Sequence, residues 1–206
     1  MQLLFVHGLG ASRLDGIPLL LHMRRRGIKA QTFSYLASMQ KLAVITQRLQ
    51  ERIRALAEQG DYALVGHSLG GVLLRLALQD LPADVRPPRH LFLVGSPVRA
   101  TQLSQSFKHW RLFHLLSGEC GQLVASPARM DTIAMPTVPT TCIVGSMGFT
   151  GRLSPFGEQP NDSIVLESEL GLERFDDVAR VAVRHPYMPA SRLVHQVLFD
   201  RLGVAR

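Results

Sequence analysis

The chain is poor in cysteine, in lysine and in long apolar runs, and each shortage removes a class of protein. Two cysteines in 206 residues, Cys120 and Cys142, make neither a disulfide framework nor a zinc site. Both are read as free thiols, which points to a reducing, cytoplasmic setting. No apolar stretch approaches the roughly 18 residues of a membrane span. Residues 1–6 are apolar but carry no charged leader and no small-residue cleavage site. They read as a first strand and not as a secretory signal. No Gly-Lys-Ser/Thr run is present, which excludes a phosphate-binding loop of the P-loop kind.

Acids are scarce too. Sixteen stand against 23 bases, for a net charge of +7 and a pI near 10.2. Only Lys29, Lys41 and Lys108 are lysines; the other bases are arginines. The excess invites a nucleic-acid reading, but no recognition motif and no aromatic–basic platform supports it. The densest run, Arg24, Arg25 and Arg26, fits the end of a helix, where cations suit the macrodipole. The remaining bases are scattered, so no nucleic-acid partner is expected. The charge leaves an anionic substrate or peripheral contact with an anionic membrane open.

What is present is an ordinary globular composition, 46% hydrophobic and 19% charged. The length suits one domain, 1–206. Short apolar runs at 2–6, 28–35, 62–65, 91–94, 140–144 and 178–183 read as strands. Helical patterns lie between them. Ser12 is placed as the cap of a first helix ending at Gly27, and Ser38 as the start of a second. Leu42, Ile45, Leu49, Ile53 and Leu56 share one face of that second helix. A further helix covers 69–79, and a last one 190–202 has Leu193, Val194, Val197 and Leu198 as its expected buried face. Alternating strands and helices imply a mostly parallel, doubly wound α/β sheet of about six strands. Sites on such sheets form beyond the carboxyl ends of the strands.

Residues 98–139 break the alternation and are too many for a plain loop. Phe107, Trp110, Phe113 and Leu116 recur every third residue, with Lys108, His109, Arg111 and His114 between them. This predicts an amphipathic helix in a small cap or lid.

The most informative segment is Gly66-His67-Ser68-Leu69-Gly70-Gly71, between a strand and a helix. A nucleophile elbow needs that setting. Positions two before and two after the serine must be almost free of side chain, and Gly66 and Gly70 meet this need. Ser68 then presents its hydroxyl at a helix N-terminus, where the Leu69 amide favours negative charge. A second donor for an oxyanion can come from His7-Gly8-Leu9-Gly10, directly after the first strand. The Leu9 amide is the expected one. His7 is read as an anchor of this loop, not as a base.

With these motifs the sequence resembles the α/β-hydrolases, and among them the small lipases and esterases. The matching residues are the His7-Gly8 loop, the Gly66–Gly71 elbow and Gly95-Ser96-Pro97. After that turn many such lipases have His-x-Gly-Ser, whereas this chain has Val98-Arg99-Ala100-Thr101. The resemblance implies an α/β-hydrolase fold in a minimal version and a triad in the order serine, acid, histidine. His90 would sit at the wrong edge of the sheet, His109 and His114 in the cap, and His195 inside the last helix. His185 follows a strand at its carboxyl end and is the expected base. Asp131, Asp176 and Asp177 precede strands. Of the remaining acids Asp162, in Asn161-Asp162-Ser163-Ile164-Val165, is expected to orient His185, with Glu158 as the alternative.

The implied chemistry is hydrolysis of a small-molecule or lipid-like carboxylic ester through an acyl-enzyme on Ser68. The same residues would serve an acyltransferase or thioesterase, and a non-catalytic binding module is the reading from another class. No cofactor and no metal is expected.

Overall fold

A computed structural model describes residues 1–204. Six strands form one sheet: β1 (Gln2–Val6), β2 (Lys29–Phe33), β3 (Tyr62–His67), β4 (His90–Val94), β5 (Thr140–Gly145) and β6 (Asp177–Val181). Their spatial order is β2-β1-β3-β4-β5-β6, and every neighbouring pair is parallel. The sheet is therefore wholly parallel where a mostly parallel one was expected. Such a sheet is covered on both faces, so its strands are apolar on both sides. Leu4, Val6 and Leu64 face one core cluster, while Leu3, Phe5, Ala63 and Val65 face the other.

Seven α-helices flank it among the described residues: α1 (Ile17–Arg25), α2 (Leu42–Glu58), α3 (Leu69–Gln79), α4 (Gln102–Phe107), α5 (Arg111–Val124), α6 (Pro127–Asp131) and α7 (Arg192–Leu202). Helices α1 and α7 cover one face; α2, α3 and the α5–α6 region cover the other. Ile45, Leu49, Ile53 and Leu56 of α2 are fully buried, as their spacing requires. Both cysteines are buried and unpaired; burial pushes the Cys120 thiol up to about 11 and Cys142 to about 12.

Several boundaries differ from the pattern-based expectation. Ser12 does not cap α1: its hydroxyl accepts from the Leu14 amide, and α1 begins after Gly16. Gly16 lies so close to Phe5 that a Cβ would stand 2.4 Å from the ring. Ser38 does not open α2, because residues 36–40 form a turn closed by the Gln40 side chain on the Leu36 amide. The first amide of α2, that of Leu42, is instead taken by the Glu119 carboxylate. Residues 98–139 hold three helices and not one, with Trp110 preceding α5 and non-helical backbone at Gly118. Helix α7 begins at Arg192, and its buried face is rotated: Leu193 is exposed while His195 is buried beside Val194 and Leu198.

Candidate active site

The β3–α3 turn is built by glycines that nothing else can replace. A Cβ on Gly66 would stand 2.3 Å from the Gly71 Cα, and one on Gly70 would stand 2.1 Å from the Val6 carbonyl oxygen. This lets the chain reverse at Ser68, which adopts φ 53° and ψ −125°. A non-glycine residue in that region is strained, and the surrounding backbone holds it there. The Ser68 amide donates to the Val94 carbonyl at 2.9 Å.

The loop after β1 packs against this turn. Gly8 approaches Ser68 so closely that a Cβ would be 3.0 Å from the Ser68 Cβ. His7 is buried, stacks on Tyr35 with ring centres 4.3 Å apart, and its carbonyl accepts from the Tyr35 hydroxyl at 2.8 Å. Burial pushes its pKa below the usual histidine value, so at neutral pH it is an uncharged prop for the loop. Sequence reasoning missed Tyr35, because nothing local marks a tyrosine that braces a loop 28 residues away. Among the described residues neither the Leu9 nor the Leu69 amide meets a protein acceptor.

Asp162 and His185 lie on the loops after β5 and β6. Asp162 Oδ2 and His185 Nδ1 are 2.6 Å apart, and both residues are almost wholly buried. The other carboxylate oxygen, Oδ1, accepts from the Ile164 and Val165 amides at 3.0 and 2.8 Å. Nδ1 is therefore the donor of this bond, and Nε2 is the ring nitrogen left free of it. Gly95, at φ 53°, passes beside the pair; a Cβ there would be 3.0 Å from both Asp162 Oδ2 and His185 Nδ1. Glu158, the alternative acid, is exposed on the stretch before Asp162 and makes no bond to His185.

His67 packs against His185, with ring centres 4.7 Å apart, and Nε2–H donates to the His185 carbonyl at 3.1 Å. Burial first, and the neighbouring His185 second, hold its pKa well below the usual range. Glu169 is a second buried acid near this loop. Its carboxylate accepts from the Gln102 and Leu166 amides, tying the start of α4 to the loop that carries Asp162.

Ser68, His185, Leu9 and Leu69 all line one cavity of about 410 Å³. Its walls are mainly apolar: Leu103 and Phe107 of α4, Phe113 of α5, then Ile164, Val165 and Pro186. No group of three or more metal-ligating side chains occurs among the described residues.

No protein-family model matches the sequence, and no curated protein does either. Solved structures do resemble it. The thioesterase RedJ from the prodiginine biosynthetic pathway of Streptomyces coelicolor superposes with a TM-score of 0.64 at 14% identity, over 100% of this chain and 90% of RedJ. An extracellular α/β-hydrolase from a Paenibacillus species gives 0.64 at 14% identity, over 98% of each chain. The NocB thioesterase domain, in covalent complex with a fluorophosphonate nocardicin G analogue, gives 0.62 at 18% identity, over 98% of this chain and 94% of that one. The chain has the α/β-hydrolase fold.

Proposed function

We propose that the protein is a serine hydrolase that cleaves carboxylic esters through an acyl-enzyme on Ser68. The observation that carries this reading is the buried Asp162–His185 pair facing the cavity that Ser68 also lines. His185 Nε2 takes the Ser68 proton as Oγ attacks the ester carbonyl carbon. The carbonyl oxygen becomes an oxyanion between the Leu9 and Leu69 amides, at the N-terminus of α3. Asp162 holds the tautomer of His185 and stabilises its cation. His185 returns the proton to the leaving alcohol. Water then repeats the sequence on the acyl-enzyme and frees the acid. The apolar walls favour an acyl chain over a charged substrate, and residues 98–139 act as a cap over it.

A second reading keeps the triad and changes the leaving group to a thiol, and thioesterases among the structural neighbours favour it. The test is labelling with a fluorophosphonate, followed by turnover of matched acyl esters and acyl thioesters. Ser68→Ala is expected to lose labelling and hydrolysis together. Undiminished hydrolysis in that variant overturns the assignment, and the ratio of kcat/KM for ester and thioester chooses between the leaving groups.

A further inference from the structure

Helix α5 is apolar on two sides. Its inner side supplies Phe113 to the cavity wall and buries Cys120 against the core. Its outer side holds Leu112, Leu115 and Leu116, and Trp110 stands just before it; each of these four is at least 60% exposed. A helix that is apolar all round is normally buried on all sides. The loop after β2 extends the same patch. Leu36 and Leu116 line one crevice, a Cβ on Gly118 would touch the Ala37 carbonyl oxygen, and Met39 is 81% exposed. Contiguous apolar surface of this kind marks an interaction site.

The charge around the patch is mostly positive. Residues 99–118 and 34–50 contain no acid, while Lys41, Lys108 and Arg111 are exposed within or beside the patch. None of these three forms an ion pair among the described residues. The nearest acid in sequence, Glu119, is engaged by the Leu42 amide. Leucines with an adjoining tryptophan, ringed by free cations, match the boundary of an anionic bilayer: acyl chains below, phosphate headgroups above. A protein partner would need a complementary acidic groove, whereas a bilayer needs only this composition.

We propose that Trp110, the outer side of α5 and the Leu36–Met39 loop dock the protein onto anionic lipid bilayers. Docked so, the cap that roofs the cavity lies at the membrane, and an apolar substrate dissolved in the lipid reaches Ser68 without crossing water. Docking itself does not depend on the chemistry of Ser68, so the two readings fail separately.

Trp110 is the only tryptophan, so its emission reports directly from the patch. Vesicles of phosphatidylglycerol are expected to bind the protein and shift Trp110 emission to the blue. Phosphatidylcholine vesicles are expected to bind about tenfold more weakly or worse. Binding to phosphatidylglycerol should fall when salt shortens the Debye length to about 3 Å. Leu112→Glu with Leu115→Glu should reduce binding by about tenfold or more, with hydrolysis of a water-soluble short ester unchanged. Arg111→Glu, which keeps every leucine, should weaken binding in the same direction. Absence of binding to phosphatidylglycerol overturns the proposal. So does equal binding to both lipids, full binding by the double variant, or a blue shift that grows with protein concentration alone, which would assign the patch to a second copy.

Discussion

Asp162 grips His185 at two points: Oδ2 accepts from Nδ1 at 2.6 Å, and the Asp162 carbonyl accepts from the His185 amide at 2.8 Å. One bond sets the ring and the other sets the backbone that carries it. The loops after β5 and β6 are thereby joined at the point where the imidazole meets the cavity.

Asp162→Asn separates these functions. The asparagine oxygen can still accept from Ile164 and Val165, so the loop should keep its shape. Its amide cannot accept from Nδ1–H, so the favoured histidine tautomer is lost. Hydrolysis should fall by about 10⁴-fold in kcat, while the thermal midpoint moves little. Glu158→Gln, on an exposed side chain, should leave both unchanged. Ester hydrolysis and calorimetry on the two variants check this, and an active Asp162→Asn protein sinks the proposed role.

The elbow glycines make a second, purely steric case. Gly70→Ala drives a Cβ to 2.1 Å from the Val6 carbonyl oxygen, a backbone atom of β1 that is paired on both sides within the sheet and cannot swing aside. A loss of about 2–3 kcal/mol is expected. Gly10 has φ 69° with open space around it, so Gly10→Ala meets only conformational strain, about 1 kcal/mol. Urea denaturation with an unchanged slope should give that order, and equal midpoints for the two variants would refute it.

The elbow was legible in the sequence because its demands are local: a serine at positive φ needs small residues at fixed offsets on either side. The meeting of Asp162 and His185 was legible because each follows a strand at the same edge of the sheet. The start of α2 was not, because Glu119, 77 residues away, takes the Leu42 amide. The rotated face of α7 escaped for a similar reason. A buried histidine reads as polar, yet His195 is satisfied by the Pro189 carbonyl at 2.8 Å and by His22 at 3.0 Å. The single helix expected over 107–116 is two, because Trp110 takes extended backbone between α4 and α5, a break that a three-residue repeat of apolar side chains does not show.

The His22–His195 pair also sets a pH dependence. His195 Nε2–H donates to Pro189, so His195 Nδ1 is the acceptor and His22 Nδ1–H the donor. Burial lowers the pKa of both, and nearby Arg25, Arg26 and Arg192 lower that of His22 further. A depressed histidine pKa means the unfolded chain binds more protons near and below about pH 6.5, so stability rises with pH there. The contribution is complete above the unfolded value and is lost as pH falls through the folded values. Glu169, whose pKa burial raises, acts with the opposite sign near 4.5, and Asp177, held at about 2 by Arg201, acts below 3.8. The urea midpoint should therefore fall between about pH 7.5 and 5.5. His7, His67 and His90, whose pKa values burial also lowers, act with the same sign, so His22→Ala should flatten that slope only in part, and a slope that stays the same would remove the pair as a contributor.

Glu169 joins two segments that lie 67 residues apart in the chain. Its carboxylate oxygens accept from the Gln102 and Leu166 amides, and its carbonyl accepts from the Val98 and Arg99 amides at 2.9 and 3.0 Å. Glu169→Ala keeps the carbonyl contacts and removes the carboxylate ones, leaving the buried Leu166 amide unpaired at a cost of about 1–3 kcal/mol. Glu169→Gln keeps one acceptor oxygen and should cost less. Because Gln102 opens α4, the first turn of the cap should also loosen. Hydrogen exchange at residues 101–105 is expected to accelerate in Glu169→Ala, to an intermediate degree in Glu169→Gln, and not at all in β1 or β3. Uniform acceleration across the sheet would show general destabilisation instead, and unchanged exchange at 101–105 would show that the cap is held by its packing on Phe107 and Phe113.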